Sequence, residues 1–264
     1  MSINLEKLTN EVITLAKEVA EFIREEDKHF DQQHIEHKGL NNLVSYVDKT
    51  SEQKIVKKLA ELLPEAGFIT EEETINKTGE SFNWIVDPLD GTTNFIHGLP
   101  AYCISIALQQ DNELVLGVVY EICQDECFYA WKNGGAYLNG KRISVSGNDA
   151  IGKSLIATGF PYYDFEKLER YIEVFRILTQ QCHGLRRIGS AAMDMAYTAC
   201  GRFDAYFEYN INLYDIAAGV VLVREAGGEV VNFAGKDEFV TSREVLASNG
   251  KVGKPMLEVI QEHF

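Results

Sequence analysis

The sequence has no hydrophobic run long enough to cross a membrane. None of its apolar stretches reaches the roughly 18 residues that a membrane-spanning helix requires, so we expect no membrane span. Residues 1–10 are polar and begin an amphipathic segment, which is unlike a secretory signal. Repeats, linkers and low-complexity segments are absent as well. We therefore expect one large domain over residues 1–264, or two tightly joined halves, residues 1–150 and 151–264.

Cysteine is scarce and odd in number. The five cysteines lie in apolar segments spread along the chain, which indicates reduced thiols and a cytoplasmic protein rather than a disulfide-bonded one. Two of them form a Cys123-x-x-x-Cys127 pair, but no matching second pair is present. A zinc site is therefore not expected.

Basic residues are few. Lysine and arginine number 25 against 40 aspartates and glutamates, for a net charge of −15. This balance argues against duplex nucleic acid as a general partner. It also repels an anionic substrate, unless bound cations reverse the potential of the pocket. An enzyme of this composition that acts on an anionic substrate is therefore expected to depend strongly on divalent metal ions.

The most informative segment is WIVDPLDGTTNF at residues 84–95. A β-favouring run over residues 82–86 ends in two carboxylates, and ligands of open α/β sheets collect at such strand ends. Pro88 disfavours a helix at Asp87, so we expect both carboxylates on a turn that can aim them, with the Leu89 carbonyl, at one centre. These hard oxygen donors suit Mg²⁺. The alternative is an ordinary Asp-Pro and Asp-Gly turn that binds nothing.

A second acidic segment, EYNINLYDIAAG, occupies residues 208–219. Considered alone, Asp215 is expected to be the N-cap of a helix, and residues 217–219 are small residues that allow close packing. A carboxylate at a helix start can also cap with one oxygen and bind a metal with the other. Both interpretations therefore stay open.

Three further segments carry polar residues. They are KGLNNLVSYVD at residues 38–48, FITEEE at residues 68–73 and RIGSAA at residues 187–192. Taken alone, the second of them is best explained as an acidic solvated loop. Ser190 in the third is equally compatible with a helix N-cap.

Together these five segments resemble the inositol monophosphatase family of metal-dependent phosphatases. They are similar to its Asp-Pro-(Ile/Leu)-Asp-Gly-Thr-Thr-Asn-Phe signature, its Trp-Asp-x-Ala-Ala-Gly motif after a glutamate, its Gly-Glu-Glu-Ser segment and its N-terminal Lys-Gly-x-x-Asp-x-Val-Thr-x-x-Asp. The matches follow the family order from residue 38 to about residue 228. The sequence departs from the pattern at Asn42, Ser45, Thr70 and Tyr214.

The resemblance implies an α/β (α+β) fold, a layered αβαβα sandwich of the inositol monophosphatase and fructose-1,6-bisphosphatase type. It also implies two or three Mg²⁺ ions as cofactors. Their ligands would be Glu71, Asp87, the Leu89 carbonyl, Asp90 and Asp215. Asp87 is the candidate bridge, since paired ions about 3.5–4 Å apart need a shared carboxylate.

The resemblance also implies roles for the remaining motif residues. The catalytic set is Glu71, Asp87, Asp90, Thr92 and Asp48, and the substrate-binding set is Asp90, Gly91, Thr92, Thr93, Ala191, Glu208 and Asp215. Thr92, with Asp48, would orient the attacking water and accept its proton. The amides of Gly91 and Thr92 would hold the phosphate if a helix begins there. None of the six histidines lies in these segments, which argues against a phosphohistidine mechanism.

The favoured substrate is an inositol monophosphate, because Glu208 and Ala191 match positions where the family contacts a polyol. Lithium inhibition and a homodimer are further family-level expectations. Relatives of this fold hydrolyse histidinol phosphate, fructose 1,6-bisphosphate or 3′-phosphoadenosine nucleotides, and these substrates stay open. A role as a protein-binding factor in transcription also stays open, because Lys38-Gly39 and Arg186-Arg187 resemble bacterial members that have one.

Hydrophobic periodicity predicts the elements around these segments. Helices are expected over residues 5–23, 51–63, 163–181 and 190–200, at Asp215 and at the chain end. Strands are expected over residues 82–86, 101–108, 114–122, 127–131, 155–158 and 205–208 and near Val230 and Val245. Strands that first follow one another and later alternate with helices indicate a layered α/β architecture.

Overall fold

Two mixed sheets, one of seven strands and one of five, organise the described part of the chain. The computed structural model describes residues 3–30, 35–39, 42–161 and 165–264, and the side chains of these except for residues 35–43. A short antiparallel hairpin of β1 (Ile35–Gly39) and β2 (Asn42–Ser45) precedes both sheets.

The larger sheet contains the strand that carries the main acidic motif. Its seven strands, β3 to β9, span Gly67–Thr70, Phe82–Asp90, Cys103–Gln110, Glu113–Glu121, Glu126–Trp131, Gly135–Leu138 and Lys141–Ile143. They lie side by side in chain order. The first pair is parallel, and all later pairs are antiparallel. The strands β4 to β7 are the consecutive strands that the sequence predicted, whereas β3, β8 and β9 were not predicted.

The smaller sheet is built from strands that alternate with helices. Its strands, β10 to β14, span Leu155–Thr158, Gly184–Arg186, Ala205–Tyr209, Glu229–Val231 and Glu244–Ser248. Their spatial order is β11-β10-β12-β14-β13. β10 is parallel to both of its neighbours, whereas β14 is antiparallel to both of its own.

Helices form three layers that separate and cover the sheets. The helices, α1 to α8, span Leu5–Asp27, Tyr46–Leu62, Thr92–Ile96, Leu168–Gln181, Ala191–Ala199, Leu213–Glu225, Phe239–Ser242 and Gly253–His263. α1 and α2 pack on the larger sheet, α5 and α6 contact both sheets, and α4 and α8 pack on the smaller one. The order of layers is therefore αβαβα, as predicted.

The burial of each helix follows from its layer. In α5 every residue is buried, and in α6 residues 216–223 are all buried, because sheets cover both sides of this layer. α1 instead buries a stripe at helical spacing and exposes the opposite face, as expected for an outer helix. None of the helices in the described ranges is both long and apolar enough to cross a membrane. All five cysteines have free thiols.

Two helix starts differ from the sequence prediction. α2 begins at Tyr46 and not at residue 51, because Ser45 and Asp48 form a capping box: the Ser45 amide donates to Asp48 Oδ2 at 2.8 Å. α4 begins at Leu168 and not at residue 163, and residues 162–164 lie outside the described part of the chain. Phe165 is 42% exposed and residues 166–167 are exposed as well, so the described residues just before α4 offer no buried apolar face to support a helix.

The path of β4 through the acidic motif also differs from the prediction. We expected Asp87 and Asp90 on a turn, but β4 continues through Pro88 to Asp90. Asp87 pairs with Ser105 and Asp90 with Cys103, so two residues lie opposite one and the strand bulges. A bulge accommodates a proline, which has no amide to contribute to the ladder. The two carboxylates are therefore placed by a bulged strand.

Candidate active site

Four of the five motif segments line one pocket, where β4 and β12 end and α5 and α6 begin. Ten of the predicted site residues form its lining: Glu71, Asp87, Leu89, Asp90, Gly91, Thr92, Thr93, Ala191, Glu208 and Asp215. Asp48, the eleventh, lies behind the lining and accepts a hydrogen bond from Thr92 at 2.9 Å. Residues 38–43 of the fifth segment lie outside the described side chains. The structure thus brings together residues that are far apart in the sequence.

Asp87 interacts with the other three acids of the cluster. It is 1% exposed, and its Oδ1 accepts a hydrogen bond from the Leu89 amide at 3.0 Å. Burial raises the pKa of Asp87 well above its usual range, and the negative charges of Glu71, Asp90 and Asp215 raise it further. Asp87 is therefore close enough to each of the other three carboxylates to be repelled by it.

Asp90 is held by the start of α5. Its Oδ2 accepts hydrogen bonds from Ser190 Oγ and the Ala192 amide, both at 2.7 Å, and no described group donates to Oδ1. Burial raises the pKa of Asp90 to about 6, against the lowering effect of these two hydrogen bonds and of Arg187. One carboxylate oxygen is thus fixed by the protein, which leaves the other for a ligand. Ser190 is also the N-cap of α5, as expected.

Asp215 lies in the first turn of α6, but it is not the N-cap. Asn212 occupies that position, and its amide donates to Asp215 Oδ2 at 2.8 Å in a capping box. The N-cap interpretation was therefore wrong by three residues. Burial raises the pKa of Asp215 well above its usual range, and the charges of Asp90 and Glu71 add to this. No described group donates to Oδ1, so one oxygen caps and the other is left for a ligand.

Glu71 is flanked by residues that are held by Glu52, a residue of α2 that the motif analysis missed. The buried Glu52 carboxylate accepts hydrogen bonds from Thr70 Oγ1 at 2.9 Å and from the Glu72 amide at 2.8 Å. The Thr74 amide and hydroxyl donate to it as well, at 2.8 and 2.7 Å. The loop that carries Glu71 is therefore anchored to α2 on both sides of this residue. The solvated-loop alternative does not describe it.

Thr92 links the pocket to the buried Asp48. Thr92 Oγ1 lies 2.9 Å from Asp48 Oδ1 and 3.0 Å from the Leu89 carbonyl oxygen. Burial raises the pKa of Asp48, although hydrogen bonds from Ser45 and Thr92 lower it. A hydroxyl that donates to a buried carboxylate has lone pairs left to accept a further hydrogen bond.

Helix α3 begins at Thr92, which is the condition for the predicted phosphate contact. Gly91 precedes it with φ at 99°, a left-handed conformation that glycine adopts readily. A β-carbon at Gly91 would also lie 2.9 Å from the Ala101 carbonyl oxygen. A residue with a side chain would therefore be strained at position 91. The amides of Gly91 and Thr92 lie at the start of α3, where N–H groups have no hydrogen-bond partner within the helix.

Glu208 is a further buried carboxylate of the pocket. Tyr206 donates to its Oε2 at 2.6 Å. Burial raises the pKa of Glu208 to about 7, while the Tyr206 hydrogen bond and Arg187 lower it. A β-carbon at Gly159, another residue that the motif analysis missed, would lie 1.8 Å from Oε2. Glycine at this position therefore makes room for the carboxylate.

The acidic cluster fits divalent ions by its chemistry. Among the described residues, no three His, Cys, Asp or Glu side chains are already grouped tightly enough to hold one ion. Glu71, Asp87, Asp90 and Asp215 nevertheless line one cavity and repel one another. A divalent cation removes such repulsion, and hard oxygen donors suit Mg²⁺. By their chemistry these four carboxylates, with the Leu89 carbonyl, are the residues that would hold such ions.

Known proteins have similar sequences over the segments that contain these residues. The profile of the inositol monophosphatase family matches residues 4–263. The chain belongs to this family. The resemblance inferred from five short segments is thereby confirmed over almost the whole sequence.

Relatives in this family have two kinds of name. Nus factor SuhB of Pseudomonas aeruginosa is 38% identical over 265 residues, which cover 98% of each chain. Inositol-1-monophosphatase of Rhizobium meliloti is 39% identical over 225 residues, which cover 85% of each chain. The family is thus shown, and the names differ in the role that they indicate.

Solved structures confirm the fold of this inositol monophosphatase family member. The extragenic suppressor protein suhB from Bartonella henselae superposes with a TM-score of 0.92 at 32% identity, covering 98% of this chain and 100% of that one. The inositol monophosphatase from Anabaena gives 0.87 at 31% identity, covering 99% and 97%. The layered αβαβα fold is therefore that of this family.

Proposed function

We propose that the protein is a Mg²⁺-dependent phosphomonoesterase that hydrolyses an inositol monophosphate to inositol and phosphate. One observation carries this proposal: Glu71, Asp87, Asp90 and Asp215 come from distant segments and line a single pocket. Burying several carboxylates together is costly unless cations compensate them. An anionic ester can approach such a pocket only when divalent ions are bound there.

The proposed ligand set divides between two ions. Glu71, Asp87 and the Leu89 carbonyl would hold one, and Asp87, Asp90 and Asp215 the other. The assignment of Asp87 as the shared ligand is supported by its electrostatic contact with all three other acids. When bound, Mg²⁺ supplies Lewis acidity that lowers the pKa of a water molecule and neutralises the phosphate. We propose two or three Mg²⁺ ions in all.

Thr92 and Asp48 would orient the attacking water and take its proton. The water donates to Thr92 Oγ1, whose own proton points to Asp48 Oδ1 at 2.9 Å. As the water attacks phosphorus, its proton moves to Thr92 and the Thr92 proton moves to Asp48. The bond between phosphorus and the ester oxygen breaks at the same time, and the departing inositol oxygen takes up a proton from a solvent water. The raised pKa of Asp48 favours this transfer, because the burial that raises it stabilises the protonated carboxyl.

The two ends of the substrate would be held by different groups. The phosphate oxygens would accept hydrogen bonds from the amides of Gly91 and Thr92, with Thr93 beside them. The polyol hydroxyls would donate to Glu208 and to Asp215, and one would accept from the Ala191 amide. All of these residues line the cavity, and a relative that is 39% identical has the name inositol-1-monophosphatase.

A panel of phosphate esters tests the proposal directly. It should contain myo-inositol 1-phosphate, histidinol phosphate, fructose 1,6-bisphosphate and 3′-phosphoadenosine 5′-phosphate, each assayed with Mg²⁺ and with EDTA. We expect hydrolysis only with Mg²⁺, the highest kcat/KM for the inositol ester, and inhibition by millimolar Li⁺. If another ester had a higher kcat/KM, the proposed substrate would be wrong, but the proposed phosphomonoesterase reaction would still hold. Turnover that persists in EDTA would refute the metal assignment.

A second candidate function is binding to a transcription complex. It is favoured by relatives named Nus factor SuhB, of which the Pseudomonas aeruginosa protein is 38% identical over the full length. An Asp90→Asn variant separates the two functions, because Asp90 lies in the proposed metal cluster. We expect it to lose turnover, whereas binding to purified transcription proteins, measured by co-purification, should persist if this function is present.

We also propose that the protein is a cytoplasmic homodimer built from one domain per chain. The free thiols and the family membership support this proposal. Light scattering coupled to gel filtration would give twice the 29.7 kDa chain mass for a dimer. A single cooperative unfolding transition would support one domain.

A further inference from the structure

One buried carboxylate of the pocket has an oxygen without a hydrogen-bond donor. Asp194 of α5 is 2% exposed and lines the cavity, yet its Oδ1 has no hydrogen-bond donor in the described part of the chain. Buried polar groups in native proteins are nearly always hydrogen-bonded, and an exception needs an explanation. Two buried acids outside the pocket lining are satisfied: Glu52 accepts four hydrogen bonds, and Asp204 accepts them from Ser146 and the Leu155 amide.

The charged groups around Asp194 make a buried carboxylate at this position still less favourable for the free energy of folding. Glu208 and Asp90 act on it with like charge, and Arg187 is the opposing positive charge. Asp194 follows Ala191 by three positions, so the two residues share one face of α5, and both line the pocket. The remaining buried residues of α5 are mostly apolar, so no structural need for a carboxylate is evident there.

A complementary unsatisfied group lies in the same pocket. Asn210, two residues after Glu208, also lines the cavity, and its buried Nδ2 has no acceptor among the described residues. The pocket therefore contains an unused acceptor on Asp194 and an unused donor on Asn210. A hydroxyl group can serve both, since it donates one hydrogen bond and accepts others.

We propose that Asp194 and Asn210, together with Glu208, form the recognition site for the hydroxyl groups of a polyol leaving group. Asp194 accepts from one hydroxyl and Asn210 donates to another or to the same one. This inference rests on the proposed phosphatase function and makes its substrate class specific. A leaving group without hydroxyls leaves both polar atoms buried and unpaired, so the site discriminates against it.

The test compares two esters in the Mg²⁺-loaded enzyme: myo-inositol 1-phosphate, which has hydroxyls, and 4-nitrophenyl phosphate, which has none. We measure the ratio of their kcat/KM values. Asp194→Asn keeps a neutral acceptor and should lower this ratio about tenfold, and Asp194→Leu, which removes the acceptor, about 100-fold. Asn210→Ala should lower it about tenfold and tests the same site if the Asp194 variants fail to fold.

Asp204→Asn is the matched control, because Asp204 is also buried but is satisfied and lies outside the pocket lining. It should lower Tm and leave the ratio unchanged. Asp194→Asn should do the opposite and keep or raise Tm, since it removes a charge that Glu208 and Asp90 repel. A merely structural role for Asp194 predicts a lower Tm and an unchanged ratio.

The inference is overturned if the variants lower kcat/KM equally for both esters, or if the ratio stays at its wild-type value. Failure of the proposed function has a different signature. In that case the wild-type protein itself hydrolyses neither ester with Mg²⁺, or hydrolyses only 4-nitrophenyl phosphate.

Discussion

Two buried carboxylates on neighbouring elements, Glu52 and Asp87, have opposite environments. Glu52 is fully buried and accepts four hydrogen bonds. Asp87 is as deeply buried, but it accepts one hydrogen bond from the Leu89 amide, and its other interactions are with three acids, Glu71, Asp90 and Asp215, which raise its pKa. A buried acid that the protein compensates stabilises the fold, whereas one that it leaves uncompensated is stabilised by a ligand. The difference distinguishes an anchoring residue from a site residue of the same chemistry.

The strongest test of this comparison is Asp87→Asn. It should lower kcat by roughly 1000-fold or more, because it removes the shared ligand of the ion pair. In EDTA the same variant should raise Tm by about 4–8 °C, since about 2 kcal/mol of repulsion is relieved. Steady-state kinetics and scanning calorimetry measure the two effects. Asp204→Asn is the control and should lower Tm in EDTA; a matching fall for Asp87→Asn would show that Asp87 is compensated after all.

Thr92→Ala tests the pathway from the cluster to Asp48. It removes the hydroxyl that bridges the water and Asp48, so kcat should fall about 100-fold. The Mg²⁺ concentration at half-saturation should change little, since the Thr92 side chain is not a proposed ligand. Thr179→Ala is the control, because this exposed hydroxyl donates only to the Phe175 carbonyl on α4. A Thr92→Ala variant that keeps kcat but needs more Mg²⁺ would place Thr92 with the ligands instead.

Glu52→Gln tests whether a compensated acid acts on the site through the loop it holds. The amide cannot accept all four hydrogen bonds, so the Glu71 loop should loosen and the Mg²⁺ dissociation constant should rise about tenfold. Titration calorimetry measures this without turnover. Glu121→Gln is matched, because Glu121 is also buried and holds a turn through the Cys123 and Gln124 amides. Both should lose about 1–3 kcal/mol of stability, but only Glu52→Gln should weaken Mg²⁺ binding.

The pocket residues could be predicted from the sequence because they lie in compact local motifs. Asp87 and Asp90 lie at the end of the buried strand β4, and such strand ends are where α/β sheets bind ligands. The family resemblance added Glu71, Glu208 and Asp215 in a consistent order. These site residues can be predicted from the sequence because each motif consists of only a few consecutive residues.

The compensating contacts could not be predicted in this way. Glu52 lies three positions before Ile55, within the buried stripe of α2. A charged residue on a buried stripe indicates that a partner must be present, but the sequence does not identify it, because the partners of Glu52 are 18 to 22 residues away. The bulge at Pro88 depends on pairing with β5, and the need for glycine at 159 depends on Glu208. Short strands such as β3 and β9 are too brief to show alternation.

The smallest effect expected from the comparison is on the pH dependence of stability. Burial raises the pKa of Asp90 to about 6 and that of Glu208 to about 7, whereas unfolded carboxyls titrate near roughly 4. Between these values the folded state binds more protons than the unfolded state, so the free energy of unfolding falls as pH rises. In EDTA, Tm should therefore be lower at pH 7.5 than at pH 5.5 by about 5 °C.

Saturating Mg²⁺ should reverse this dependence, because the ions bind deprotonated carboxylates and bind more tightly as pH rises. Calorimetry at both pH values, with Mg²⁺ and with EDTA, measures the change of sign. Asp90→Asn should flatten the slope in EDTA, since it removes one of the groups that titrate in this range. A wild-type Tm in EDTA that rises between pH 5.5 and 7.5 would mean that the fold compensates the pocket acids itself, and the contrast with Glu52 would no longer hold.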